Sequence, residues 1–128
     1  MAIPFAKSPE GIEMHFAINH VGHFLFTNLI LGKLREGGRV ANVASEGYRL
    51  AEVNYVDPWF EVYSPSVKTN NYVTHCWKDG KSYDAMTAYY RSKSANMLFT
   101  IALAERGIKA YAVHPGCGFF PLSILNHY

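Results

Sequence analysis

Tyr89 and Lys93 stand four residues apart in a stretch of helical composition, so a single helix presents both on one side. A phenol ordinarily titrates near about 10. An ammonium beside it favours the phenolate and draws that value down, which makes a usable general acid and base near neutral pH. Taken alone, a tyrosine four residues before a lysine is more often a surface aromatic beside a solvated cation. Other residues converge with the pair. Ser45 directly follows the short apolar run 39–44, and Pro115-Gly116 follows the run 108–113. The ends of such strands are where an α/β sheet opens its ligand crevice. Asn19 and Gly22 lie inside a helical pattern, where both residue types are costly. Asn19 alone reads as a satisfied core amide, and Gly22 as a close backbone approach or a kink.

The elements that must position these groups follow from punctuation and period. Ser8 reads as an N-cap, Pro9 as a first helical residue, and Glu10 as favourable at the positive helix end. From there Ile12, Phe16, Ala17, Val21, Phe24, Leu25, Leu29, Ile30 and Leu34 keep helical spacing until Gly37-Gly38. So wide an apolar face predicts burial on two sides. Residues 39–44 predict a buried strand. A second helix is expected over 83–106, with Ser82 or Asp84 as N-cap and Gly107 as C-cap, and a second buried strand over 108–113. Helix, strand, helix, strand implies parallel pairing through crossovers, a piece of an α/β sheet. Residues 48–82 carry turn residues and scattered aromatics without period, and read as a lid, an insertion, or sequence that does not belong in a folded product.

The chain has 128 residues, 49% hydrophobic and 17% charged, which suits one globular domain and excludes a disordered chain. Its net charge of +2 is spread without a Lys/Arg run, so no nucleic-acid or membrane patch is expected. Cys76 and Cys117 form no disulfide framework, which fits a reducing, cytoplasmic compartment. The N-terminus has no signal-peptide pattern. Residues 14–32 lack formal charge, but His15, Asn19, His20, His23, Thr27 and Asn28 make them too polar for a membrane span. His15, His20 and His23 lack the further convergent ligand a metal would need, so no metal is expected.

Together these stretches resemble the short-chain dehydrogenase/reductase family. Asn19, Gly22 and Phe24 match its N-x-x-G-x-F helix motif, Asn42-Val43-Ala44-Ser45 its strand-end motif, Tyr89-Tyr90-Arg91-Ser92-Lys93 its Y-x-x-S-K motif, and His114-Pro115-Gly116 its P-G turn. Residues 45–50, 80–84 and 94–99 are most similar to the retinol-dehydrogenase-like and WW-domain-oxidoreductase-like branch. The resemblance covers about residues 1–57 and 77–116. It implies a Rossmann-type doubly wound parallel sheet and hydride transfer between NADP (or NAD) and a small apolar carbonyl or alcohol, such as a retinoid. Tyr89 is then the proton donor or acceptor, Lys93 its electrostatic partner and a ribose ligand, and Ser45 the group that holds the substrate oxygen. Asn19 orders a water between Lys93 and solvent, and His114, Pro115, Gly116 and Cys117 line the nicotinamide pocket.

The family opens with a strand, a glycine-rich turn and a helix that cradles pyrophosphate, and nothing here matches them. The expectation is therefore the C-terminal part of such a sheet, without its first strands and glycine-rich turn. It forms one partial domain over 1–128 with an unmatched insertion at about 58–76. The alternative is an inactive fragment that keeps only a helical surface for a homodimer, built from Leu29, Ile30, Met97 and Ile101.

Overall fold

A computed structural model describes residues 1–51, 68–69, 72–73 and 83–116. The first helix does not begin at Ser8. Gly11 adopts φ +83°, a left-handed conformation that breaks a helical path. The Ser8 N–H bonds back to the Ile12 carbonyl at 2.8 Å, and residues 7 and 13 form a β-bridge. The N-cap is Glu13, whose side chain accepts from the Phe16 N–H. Four segments then follow without a break: α1 (Met14–Phe16), a π-helical segment (Ala17–Gly22), α2 (His23–Ile30) and a 3-10 turn (Leu31–Lys33). Leu34 is extended, and Gly37 turns the chain at φ +73°.

Strand β1 (Val40–Val43) leads through Ser45 into a 3-10 turn, Glu46–Arg49. Two-residue strands β2 (Lys68–Thr69) and β3 (Tyr72–Val73) pair antiparallel. They are the only part of the tract 59–76 among the described residues. Helix α3 (Ala85–Glu105) is capped by Asp84, whose carboxylate accepts from the Thr87 N–H, and Gly107 follows it at φ +79°. Strand β4 (Ala110–Val113) pairs parallel with β1, from Val40 opposite Ala110 to Val43 opposite Val113. Parallel strands joined through a helix make this a mixed helix–strand unit of α/β type, as the sequence order predicts.

Burial departs from expectation. Six consecutive residues of α3, Arg91 to Asn96, are buried. A helical turn takes about 3.6 residues, so no face of that stretch reaches solvent. The strands and first helix, by contrast, are covered on one side only. Val43, Tyr111 and Val113 are exposed, as are Phe24, Leu25, Phe26, Leu29 and Ile30. An apolar period shows that a face is apolar, and not that another element covers it. Of the two readings of Gly22, the close approach is not met. A Cβ there would meet only the Ala17 carbonyl oxygen at 3.5 Å, so the residue ends the π segment rather than fitting a close approach. Among the described residues no helix is long and apolar enough to cross a membrane.

Candidate active site

Tyr89 and Lys93 share one face of α3, and the Lys93 Nζ lies 5.7 Å from the centroid of the Tyr89 ring. The ammonium donates to the Val43 carbonyl at 3.0 Å, which ties it to the last residue of β1. Burial holds the Lys93 amine below the usual lysine range. The same carbonyl accepts from the Asn96 Nδ2 at 3.3 Å. Behind Tyr89, the Ser92 hydroxyl donates to the Tyr89 carbonyl at 2.6 Å and accepts from the Asn19 Nδ2 at 3.0 Å. The tyrosine is therefore anchored through its backbone and the lysine through its side chain.

Asn19 lies in the π segment, where i→i+5 bonding loosens the turn, a geometry frequent at functional sites. Its side chain reaches Ser92, while its carbonyl accepts from the Asn96 Nδ2 at 3.0 Å. The Asn96 Oδ1 in turn accepts from the His20 Nδ1 at 3.1 Å. His20 sits among the rings of Phe16, Phe24 and Phe99. Its burial holds the imidazole below the ordinary histidine value, and the bond to Asn96 only partly opposes this. The sequence reading did not single out Asn96. Its one available signal was its place three residues after Lys93, on the same helical face.

Ser45 leaves β1 at the edge where His114 leaves β4, since Ala44 N–H still bonds the Val113 carbonyl at 2.9 Å. The Ser45 Oγ accepts from the Gly47 N–H at 3.2 Å. Gly47 packs against the Tyr90 ring so closely that a Cβ would fall 2.3 Å from a ring carbon. The Ser94 hydroxyl, on α3, meets the carbonyls of Tyr48 and Ala51 and fastens the far end of this turn. His114, Pro115 and Gly116 are exposed at the same edge, with Gly116 at φ +89°. Cys117 lies outside the described residues.

A second cluster borders Tyr89. Glu13 is completely buried, and its carboxylate accepts from the Phe16 N–H, the Tyr83 hydroxyl and the His15 Nδ1. The Ile3 N–H points at the His15 Nε2 at 3.3 Å, so that nitrogen carries the lone pair and Nδ1 the proton. The His15 ring meets the Tyr89 ring edge-on, with centroids 6.4 Å apart. Burial first, and then the bond to Glu13, push the Tyr83 phenol far above its ordinary value, which keeps it a donor. His15 and His20 thus serve different partners. Among the described residues no group of three metal-ligating side chains converges.

The fit to a dinucleotide is partial. Ser45 and His114 leave β1 and β4 at one edge, and the Lys93 amine is tied to the last residue of β1 beside it, so hydroxyl, amine and backbone donors stand there. A pyrophosphate needs a helix N-terminus free to receive an anion. Here α1 and α3 begin on the carboxylates of Glu13 and Asp84, each of which places a negative charge there and takes one of those N–H groups.

No family model matches the chain, and no solved structure does. Curated proteins do. Retinol dehydrogenase 11 of Mus musculus is 38% identical over 122 residues, covering 91% of this chain and 33% of the relative. Retinol dehydrogenase 12 of Bos taurus is 38% identical over the same shares. Retinol dehydrogenase 14 of Mus musculus is 36% identical over 119 residues, 88% of this chain and 30% of the relative. The chain spans about a third of the length of the curated relatives it matches.

Proposed function

We propose that this chain, similar over most of its length to retinol dehydrogenases, belongs with them to the short-chain dehydrogenase/reductase family and carries the proton-transfer centre of an NAD(P)-dependent oxidoreductase. The reaction interconverts a carbonyl and an alcohol, and the relatives' names favour a small apolar substrate of the retinoid kind. In this reading β1, α3 and β4 are the C-terminal part of a Rossmann-type doubly wound sheet, in one domain with the insertion at about 58–76. The observation that carries it is the Lys93 ammonium, anchored on the β1 carbonyl and held 5.7 Å from the Tyr89 ring centroid at the strand edge.

NADP or NAD, when bound, supplies or accepts the hydride. Lys93, His114, Pro115 and Gly116 would border its nicotinamide end, with Cys117 next in the chain. Tyr89 gives a proton to the substrate oxygen in reduction and takes it back in oxidation. Lys93 places a cation beside the ring on which the phenolate charge develops. Ser45 uses one lone pair on the Gly47 N–H, so its own proton is free to point at the substrate oxygen. The Asn19 carbonyl accepts one bond from Asn96 and keeps a second lone pair for a water that joins Lys93 to solvent.

The test is NADPH oxidation in the presence of an apolar aldehyde such as retinal. Tyr89→Phe should lower the rate by about 10²–10⁴-fold with the fold intact by circular dichroism. A rate equal to wild type rejects the assignment. Binding of NADPH is expected to be weak, because the described helix N-termini are closed to phosphate. A micromolar affinity by fluorescence titration would mean that the phosphates have another cradle.

The exposure of Leu29 (73%), Ile101 (51%) and Ile30 (44%) favours a second reading, a non-catalytic chain that keeps a helical association surface. Self-association without any Tyr89-dependent turnover would select it.

A further inference from the structure

We propose that Asn96 is a positioning residue for Lys93, holding the Val43 carbonyl to which the lysine is anchored. The inference rests on the reading in which Lys93 and Tyr89 act as a pair. Asn96 is 2% exposed, and every polar position of its amide is engaged. Nδ2 donates to the Asn19 carbonyl at 3.0 Å and to the Val43 carbonyl at 3.3 Å, while Oδ1 accepts from the His20 Nδ1 at 3.1 Å. The opposite amide orientation would set Oδ1 against two carbonyl oxygens, so these partners fix the side chain.

The Val43 carbonyl takes two donors, Lys93 Nζ at 3.0 Å and Asn96 Nδ2. A carbonyl oxygen has two lone pairs, and both are used. Lys93 and Asn96 are three residues apart on α3, so one helical face presents both to the same oxygen. The amide also spans two elements, the end of β1 and the π segment. It thereby sets where the lysine's acceptor lies relative to Asn19. Without Asn96 the Asn19 carbonyl loses its donor, the Val43 carbonyl loses one of two, and a space opens beside the ammonium.

A purely structural asparagine would affect stability alone, whereas a positioning one also changes the surroundings of the Lys93 amine. The experiment labels lysine Cε with carbon-13 in the full chain, assigns Lys93 by its loss in Lys93→Arg, and titrates the signal by NMR. In Asn96→Ala the Lys93 titration should move upward, toward the ordinary lysine value, as water reaches the amine. Thr100→Ala serves as control. It removes the buried Asn42–Thr100 bond and the Thr100 hydroxyl's bond to the Asn96 backbone carbonyl, while leaving the Asn96 amide and the Val43 carbonyl in place, and should leave the Lys93 titration unchanged. A folded Asn96→Ala with Lys93 titrating as in wild type overturns the proposal, as does an equal shift in Thr100→Ala.

Where Asn96→Ala does not fold, the isosteric Asn96→Asp decides. Its carboxylate lies within reach of the shared carbonyl and should raise the Lys93 titration above wild type; no rise overturns the proposal. None of these readouts needs cofactor or turnover. A moved Lys93 signal with no Tyr89-dependent activity would sink the oxidoreductase reading and leave this inference standing. Tyr89-dependent activity with an unmoved Lys93 would do the reverse.

Discussion

Residues 91–96 of α3 and residues 24–30 of α2 invert the usual relation between polarity and depth. The stretch of α3 holds Arg91, Ser92, Lys93, Ser94 and Asn96, and all of it is buried. The stretch of α2 holds Phe24, Leu25, Phe26, Leu29 and Ile30, all exposed, and its one buried residue is Thr27. Four of these polar groups are paired in the interior: Ser92 on the Tyr89 carbonyl, Lys93 on Val43, Ser94 on Tyr48 and Ala51, Asn96 on three groups at once. A buried polar group costs free energy mainly when it is left unpaired. The difference between the two stretches shows where the chain concentrates specificity. The folded unit fixes side-chain geometry at α3 and leaves apolar area at α2, the kind of surface that marks association.

If that contrast is correct, removing an acceptor from the polar interior should hurt most. Glu13→Ala removes the carboxylate shared by the Phe16 N–H, the Tyr83 hydroxyl and the His15 Nδ1, leaves the last two, 2.8 Å apart, to pair with each other, and should cost about 3 kcal/mol, since an unsatisfied buried group costs roughly 1–3. A urea melt within about 0.5 kcal/mol of wild type would break the comparison. Overfilling the seat of the Ser45 turn comes next. Gly47→Ala drives a Cβ into the Tyr90 ring and should cost about 1–3 kcal/mol. Adding Tyr90→Ala should recover part of that loss, and a double variant no better than Gly47→Ala would show that the contact is not what matters.

A smaller effect is expected from acid. His20 has its folded value held below about 6.5, mainly by burial, so the unfolded chain binds the proton more readily. Its contribution to stability is intact above the ordinary histidine value and is lost as pH falls through the lowered one. His20→Phe should flatten that part of the stability profile, and an unchanged slope would place the loss elsewhere. Least of all, Leu29→Ser should change stability by no more than about 0.5 kcal/mol, because the side chain is exposed. It should still reduce self-association by sedimentation velocity. A large loss of stability would mean that α2 is covered after all.

The strands and α3 were legible in the sequence because local signals agree there. Gly37-Gly38 and Gly107 punctuate, the runs after them are apolar, and Asp84 caps. The start of the first helix was not. Ser8-Pro9-Glu10 imitates a helix entry, yet Gly11 turns left-handed and the cap falls to Glu13, an uncommon capping residue. That Ser45 and His114 leave one edge of the β1–β4 pair follows from strand order. Asn96 did not follow, because its importance comes from partners 53 and 77 residues away. The exposure of α2 was misjudged since periodicity carries no information on what lies opposite.

The π segment Ala17–Gly22 has a consequence for how this chain tolerates change in length. A turn closed by i→i+5 bonds takes one more residue than one closed by i→i+4. Deleting a single residue there, Ile18 for instance, lets the segment relax to an ordinary α-helix while the flanking turns keep their faces. Such a lesion would leave the helical signal of circular dichroism intact, yet it would carry the Asn19 carbonyl away from Asn96 and lower the melting temperature through that unpaired buried amide. The same deletion inside α3 would rotate Tyr89 away from Lys93's partners and scramble the interior. A scan of one-residue deletions would therefore find a permissive window in the first helix, and chains recovered from that window would be folded but carry the wrong register at the site.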